Sequence, residues 1–84
     1  MHIKFTQAAR KHRIGKARVT YVIENYEYRV LESDDEKKIQ YVWVAEDDRG
    51  IELEIIGVVL ESYVLITHVM PTSFRRRKKQ WRIK

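Results

Sequence analysis

The sequence predicts a single small domain of the α+β class, with the element order β-α-α-β-β-β-β and a basic C-terminal tail. Apolar residues recur at helical spacing in the first third of the chain and alternate with a period of two after it. A length of 84 residues leaves room for one hydrophobic core. Because short turns join the later strands, we expect a mainly antiparallel sheet with both helices on one of its faces.

The predicted helices follow a short first strand over residues 2–5. Thr6 suits a helix N-cap, so a first helix is predicted over residues 7–13. A second helix is predicted from Lys16 to Asn25. Its apolar stripe falls at i, i+3, i+4 and i+7 and consists of Val19, Val22, Ile23 and Tyr26.

The remaining elements are strands and turns. Strands are predicted over residues 28–32, 39–45, 51–60 and 63–70. Residues 46–50 have the Asp and Gly chemistry of a tight hairpin turn, and Gly57 indicates a bulge or bend. The predicted domain spans residues 1–72, and residues 73–84 form a basic tail or a short helix.

Charge is distributed unevenly along the chain. The first 20 residues hold six cations and no acid, residues 21–70 hold four cations and twelve acids, and the last 14 residues hold seven cations and no acid. If folding brings the two basic ends onto one face, that face is a site for a polyanion. If the ends lie apart, they are two solvated basic segments.

Several classes of protein are disfavoured by composition. The absence of cysteine excludes a disulfide scaffold, a thiolate metal site and a cysteine nucleophile. The longest apolar run, residues 55–60, is far shorter than the roughly 20 residues of a membrane span, and the N-terminal residues lack a secretory-signal pattern. We therefore expect a cytoplasmic protein without membrane association. No residue spacing indicates a metal or a nucleotide cofactor, so neither is expected.

Four segments carry a resemblance to a known family. Residues 5–15, with their Lys-His-Arg-Ile-Gly element, and the Val-Ile-Glu-Asn of residues 22–25 are similar to the opening of BrnT-like proteins. Residues 47–55 and residues 68–72, followed by arginines, resemble actinobacterial-type relatives of that group. BrnT-like proteins are small toxins of bacterial toxin–antitoxin modules with a RelE-like fold. The resemblance covers about residues 2–77. It implies two helices on an antiparallel sheet, RNA cleavage and a cognate antitoxin.

Three residues are the candidates for acid–base catalysis: His12, His68 and Glu54. Metal-independent RNA cleavage needs a base for the 2′-hydroxyl, an acid for the leaving oxygen and cations for the phosphorane. His12 is predicted at the end of the first helix, between Lys11 and Arg13. Two interpretations of His12 stay open: an acid–base group held among cations, or a histidine that interacts with the carbonyl groups at the C-terminal end of the helix. His68 fits either a packed strand residue or a catalyst.

The acidic residues of the middle segment leave similar choices open. Glu52 and Glu54 share one face of a predicted strand. Glu52 is interpreted as solvent-facing, whereas apolar residues directly after Glu54 leave both a buried and a solvent-facing position open. Asp47 is interpreted as turn chemistry.

The cations near the histidines are the candidates for RNA binding: Lys11, Arg13, Arg75, Arg76, Arg77 and Lys78. Guanidinium groups bind phosphate bidentately and stay charged. Phe74 and Trp81 lie among these cations and suit stacking on unpaired bases or docking on the domain. The sequence thus favours an endoribonuclease toxin that inhibits translation, acting on RNA alone or on the ribosome. The alternatives are a non-catalytic nucleic-acid-binding module and a protein–protein module; the oligomeric state is not predicted.

Overall fold

A computed structural model describes residues 1–32 and 38–74 of the chain. Within these ranges the protein forms a five-stranded sheet, the α-helix of residues 16–25, one short 3₁₀ helix and a helical turn at residues 72–74. The elements, in chain order, are β1 (Ile3–Phe5), the 3₁₀ helix η1 (Ala8–Arg10), α1 (Lys16–Asn25), β2 (Arg29–Glu32), β3 (Ile39–Glu46), β4 (Glu52–Val59) and β5 (Val64–Pro71). No helix in the described ranges is long and apolar enough to cross a membrane.

The sheet has the strand order β1-β5-β4-β3-β2. Strands β2 to β5 form a meander in which each strand is antiparallel to the next. Strand β1 is parallel to β5 at the edge of the sheet and pairs with its first three residues, Val64 to Ile66. The predicted α+β class and the mainly antiparallel sheet are confirmed.

The prediction of a first α-helix over residues 7–13 is wrong. Thr6 does act as a cap, since its Oγ1 accepts a hydrogen bond from the Ala9 N–H at 3.1 Å. The helical segment is nevertheless a 3₁₀ helix of three residues, Ala8–Arg10. Arg13 then adopts a φ of 59°, in the left-handed region, so an α-helix cannot continue through it. The segment before residue 16 therefore contains a 3₁₀ helix where an α-helix was predicted.

The second predicted helix is confirmed as α1, and it covers one face of the sheet. Val19 and Val22 are fully buried against that face, while Tyr26 lies just beyond the helix and is exposed, contrary to its predicted place in the apolar stripe. The buried hydrophobic residues form one core, consisting of Ala9, Ile14, Val19, Val22, Trp43, Leu53, Ile55, Val64, Ile66 and Val69.

Asp47 joins α1 to the hairpin turn between β3 and β4. It is 4% exposed, and its Oδ2 accepts a hydrogen bond from Arg18 Nε at 2.7 Å. Its Oδ1 accepts bonds from the backbone N–H groups of Arg49 and Ile51. Burial alone would raise the pKa of Asp47, but the hydrogen bonds from Ile51, Arg18 and Arg49 and the charge of Arg18 outweigh it, so the pKa is lowered. The predicted turn role is confirmed, and the same side chain also fastens the helix.

Gly57 marks an irregularity between β4 and β5, as predicted. Ile56 lies opposite His68 whereas Gly57 lies opposite Ile66, so β5 carries one extra residue at this point. The strands approach closely here. A Cβ atom on Gly57 would lie 2.6 Å from Cγ1 of Val64, which explains why this position suits glycine.

The extra residue of the bulge, Thr67, reverses the alternation of side chains along β5. Ile66 before the bulge and Val69 after it both face the core. An uninterrupted strand would place residue 68, not 69, on the same face as Ile66. With the bulge, His68 falls on the face turned away from α1, the outer face, where Glu54 of β4 also lies.

Candidate functional site

A cleft of about 390 Å³ lies beside the second half of β5. Strand β1 pairs with the first half of β5, and η1 packs against β5 beyond that point. The cleft has the size of a small-ligand site. It is lined by Ala8, Lys11, His12, Thr67, His68, Val69, Met70 and Phe74.

Two of the predicted catalytic residues form a pair at this cleft. Nε2 of His68 lies 3.1 Å from Oε1 of Glu54, and the two side chains are 35% and 14% exposed. When Nε2 carries the proton and donates it to the carboxylate, Nδ1 keeps its lone pair and can accept a proton. Of the alternatives left open for Glu54, the structure shows a half-buried carboxylate bonded to a histidine.

The third candidate, His12, also lines this cleft. It lies beyond the end of η1, not within a helix as predicted, and it is half-buried. Its ring stands edge-on to the ring of Phe74, with the centroids 5.2 Å apart and an interplanar angle of 89°. The structure therefore places His12 and His68 on one cleft, with Glu54 bonded to His68.

Glu52 differs from its predicted solvent-facing position. It is half-buried, and its Oε1 accepts a hydrogen bond from Thr72 Oγ1 at 2.6 Å. Thr72 itself is 4% exposed and was not singled out from the sequence. The Glu-x-Glu spacing of Glu52 and Glu54 was a signal that two carboxylates share a face. Which residues these two carboxylates contact depends on the register between β4 and β5, which the sequence does not give.

The predicted RNA-binding cations are placed only in part. Lys11 lines the cleft, and Arg13 is exposed in the turn that follows His12. Four of the predicted cations lie outside the described residues: Arg75, Arg76, Arg77 and Lys78. Trp81 lies outside them as well. Phe74, which directly precedes the arginine run in the sequence, contacts His12 and lines the cleft.

The described part of the chain, residues 1–32 and 38–74, contains no group of three His, Asp or Glu side chains arranged to hold a metal ion. What the cleft offers is two imidazoles, a carboxylate bonded to one of them, an ammonium group and an aromatic ring. Imidazole and carboxylate groups exchange protons, and the ammonium of Lys11 can bind an anion. The arrangement is thus capable of acid–base chemistry on an anionic ligand.

No family model, curated relative or solved structure matches this chain.

Proposed function

We propose that the protein is an endoribonuclease that cleaves RNA without a metal, and that it acts as the toxin of a type II toxin–antitoxin system with a RelE-like fold. The observation that carries this proposal is the cleft in which the His68–Glu54 pair faces His12 and Lys11. Its cognate antitoxin is the expected protein partner and the cytoplasm its expected location.

The proposed mechanism gives each of these groups a role. Nδ1 of His68 takes the proton of the 2′-hydroxyl, and Glu54 stabilises the imidazolium that forms. The 2′-oxygen bonds to phosphorus as the bond from phosphorus to the 5′-oxygen breaks, and protonated His12 gives its proton to that oxygen. The products are a 2′,3′-cyclic phosphate and a 5′-hydroxyl. Lys11 stabilises the charge on the phosphorane.

Two further features support RNA as the substrate. The first 20 residues hold six cations and no acid, and Lys11 brings one of these charges to the cleft. The contact between Phe74 and His12 joins this segment to the start of the second basic segment. A polyanion at the cleft would thus meet Lys11, a cation of the first basic segment.

The test is cleavage of RNA by the purified protein in the presence of EDTA, with and without ribosomes. We expect product from the wild-type protein and a loss of at least about 100-fold in rate for His12→Ala, His68→Ala and Glu54→Gln. His2→Ala is the matched control, because His2 is exposed at the N-terminus. Unaltered RNA in both settings would overturn the proposal.

The second candidate function is a nucleic-acid-binding module without catalysis. It is favoured by the apolar side of the cleft, where Phe74 and Met70 offer surfaces on which an unpaired base can stack or pack. The two candidates share the same surface and both predict salt-dependent binding. Binding that is retained without product at every pH would select this second function.

A further inference from the structure

Two side-chain hydrogen bonds connect β4 to the second half of β5 and to the residue that follows it. Glu54 bonds to His68 at 3.1 Å, and Glu52 bonds to Thr72 at 2.6 Å. The second bond joins a hydroxyl to a carboxylate, and such charge-assisted bonds are short and strong. Thr72 is also the first of three residues, 72–74, with helical backbone. The bond therefore fastens the start of this helical turn to the sheet.

We infer that Glu52 and Thr72 are positioning residues for His12 and act on it through Phe74. Thr72 fixes the helical turn that carries Phe74, and the Phe74 ring supports the His12 ring across a centroid distance of 5.2 Å. In this way a carboxylate outside the cleft lining determines where one of the proposed catalytic rings stands. The catalytic consequence rests on the proposed function, whereas the position of the ring does not.

The strand ladder alone cannot hold this turn in place. The last residue of β5 in register with β4 is Pro71, opposite Leu53. Proline has no N–H to donate, so the backbone ladder is interrupted just where the chain leaves the sheet. The next tie to β4 is the side-chain bond from Thr72 to Glu52.

Strand pairing does not account for a carboxylate at position 52. Glu52 lies directly opposite Glu46 of β3, and like charges in opposite positions of an antiparallel pair destabilise it. The hydrogen bond from Thr72 is a contact that Glu52 makes outside the pairing of β3 with β4.

The experiment measures the contact between His12 and Phe74 by NMR in the full-length protein without RNA. Thr72→Val removes the donor of the hydrogen bond and Glu52→Ala removes its acceptor, whereas Thr72→Ser keeps the hydroxyl. Glu46→Ala is the matched control, because it removes a carboxylate from the opposite position without touching Thr72. The resonances of Trp43 in the core report whether each variant is folded.

We expect nuclear Overhauser effects between the two rings in the wild type, Thr72→Ser and Glu46→Ala, and their loss in Thr72→Val and Glu52→Ala. The same two variants should lose about tenfold or more in kcat with little change in KM, because a displaced proton donor slows the chemical step. Ring contacts that persist in folded Thr72→Val and Glu52→Ala would overturn the inference. If the wild type does not cleave RNA, the proposed function fails, and the ring contacts still decide the inference.

Discussion

His68 reaches Glu54 because one extra residue in β5 moves its side chain to the outer face of the sheet. The sequence predicts an irregularity at Gly57, since a glycine interrupts a run of β-branched residues. It does not show which of the two strands carries the extra residue, because a bulge is a relation between neighbouring strands. The position of His68 relative to Glu54 therefore could not be derived from the sequence. The sequence does show that the residue types needed for acid–base chemistry, histidine and glutamate, are present.

Replacing Gly57 with alanine should lower the free energy of unfolding by about 1–3 kcal/mol. The added Cβ would lie 2.6 Å from Cγ1 of Val64, a stiff β-branched side chain in the core. Urea denaturation measures the change. The control is the same substitution in a Val64→Ala background, where the opposing methyl group is gone. Equal costs in both backgrounds would show that this contact is not the reason for the glycine.

Asp47→Asn should destabilise the protein at pH 7 by about 1.5–3 kcal/mol, because it removes the charge from three hydrogen bonds. The pKa of Asp47 is lowered in the folded state, so its contribution is complete above the unfolded value of about 3.9. The contribution is lost as the pH falls through the lower folded value.

Stability measured from pH 7 down to pH 2 tests this dependence. The wild type should lose more stability than Asp47→Asn over the acid range, so the two curves converge. Asp48→Asn, at the exposed neighbouring position, serves as the control. Curves for wild type and Asp47→Asn that stay parallel would show that Asp47 is not the group responsible.

Among the elements, α1 could be predicted almost to the residue and the first helix could not. The stripe of α1 is long enough for its period to be read, and burial of Val19 and Val22 agrees with it. The segment before it has a cap, Thr6, but only a few residues over which to establish a helical pattern. The left-handed backbone of Arg13 ends it, and no residue type at that position indicates such a conformation.

Arg13→Gly should raise the midpoint of thermal unfolding and Arg13→Ile should lower it. A left-handed conformation costs an L-residue about 1–2 kcal/mol relative to glycine, and β-branched residues tolerate it least. Arg10→Gly, within η1, is the control and should destabilise the protein. A lower midpoint for Arg13→Gly would contradict the assignment of strain to this turn.

Considered as a whole, the molecule brings His12, in the first basic segment, into contact with Phe74, the residue before the arginine run. The two residues are about 60 positions apart in the sequence, and their approach depends on the parallel pairing of β1 with β5 at the edge of the sheet. Composition shows that both ends of the sequence are cationic. It could not show that His12 and Phe74 meet, because that follows from the strand order, and the cations after Phe74 lie outside the described residues.

Lys11→Gln should weaken binding of single-stranded RNA and reduce its salt dependence. Each phosphate contact that is lost lowers the slope of log K against log salt concentration by about 0.7 for a single strand. Lys4→Gln is the matched control, because Lys4 is exposed on β1 and lies over the ring of Tyr63, away from the residues that line the cleft. Equal slopes for Lys11→Gln and the wild type would show that Lys11 does not contact the phosphates of the RNA.

In the proposed function, His12, His68 and Glu54 cleave RNA through its 2′-hydroxyl. The mass of the 5′ product from an RNA oligonucleotide tests this chemistry, in comparison with a matched oligonucleotide that has one 2′-deoxynucleotide at the cleaved position. We expect a product ending in a 2′,3′-cyclic phosphate from the first and none at that position from the second. Cleavage of both oligonucleotides at the same position and rate would contradict it.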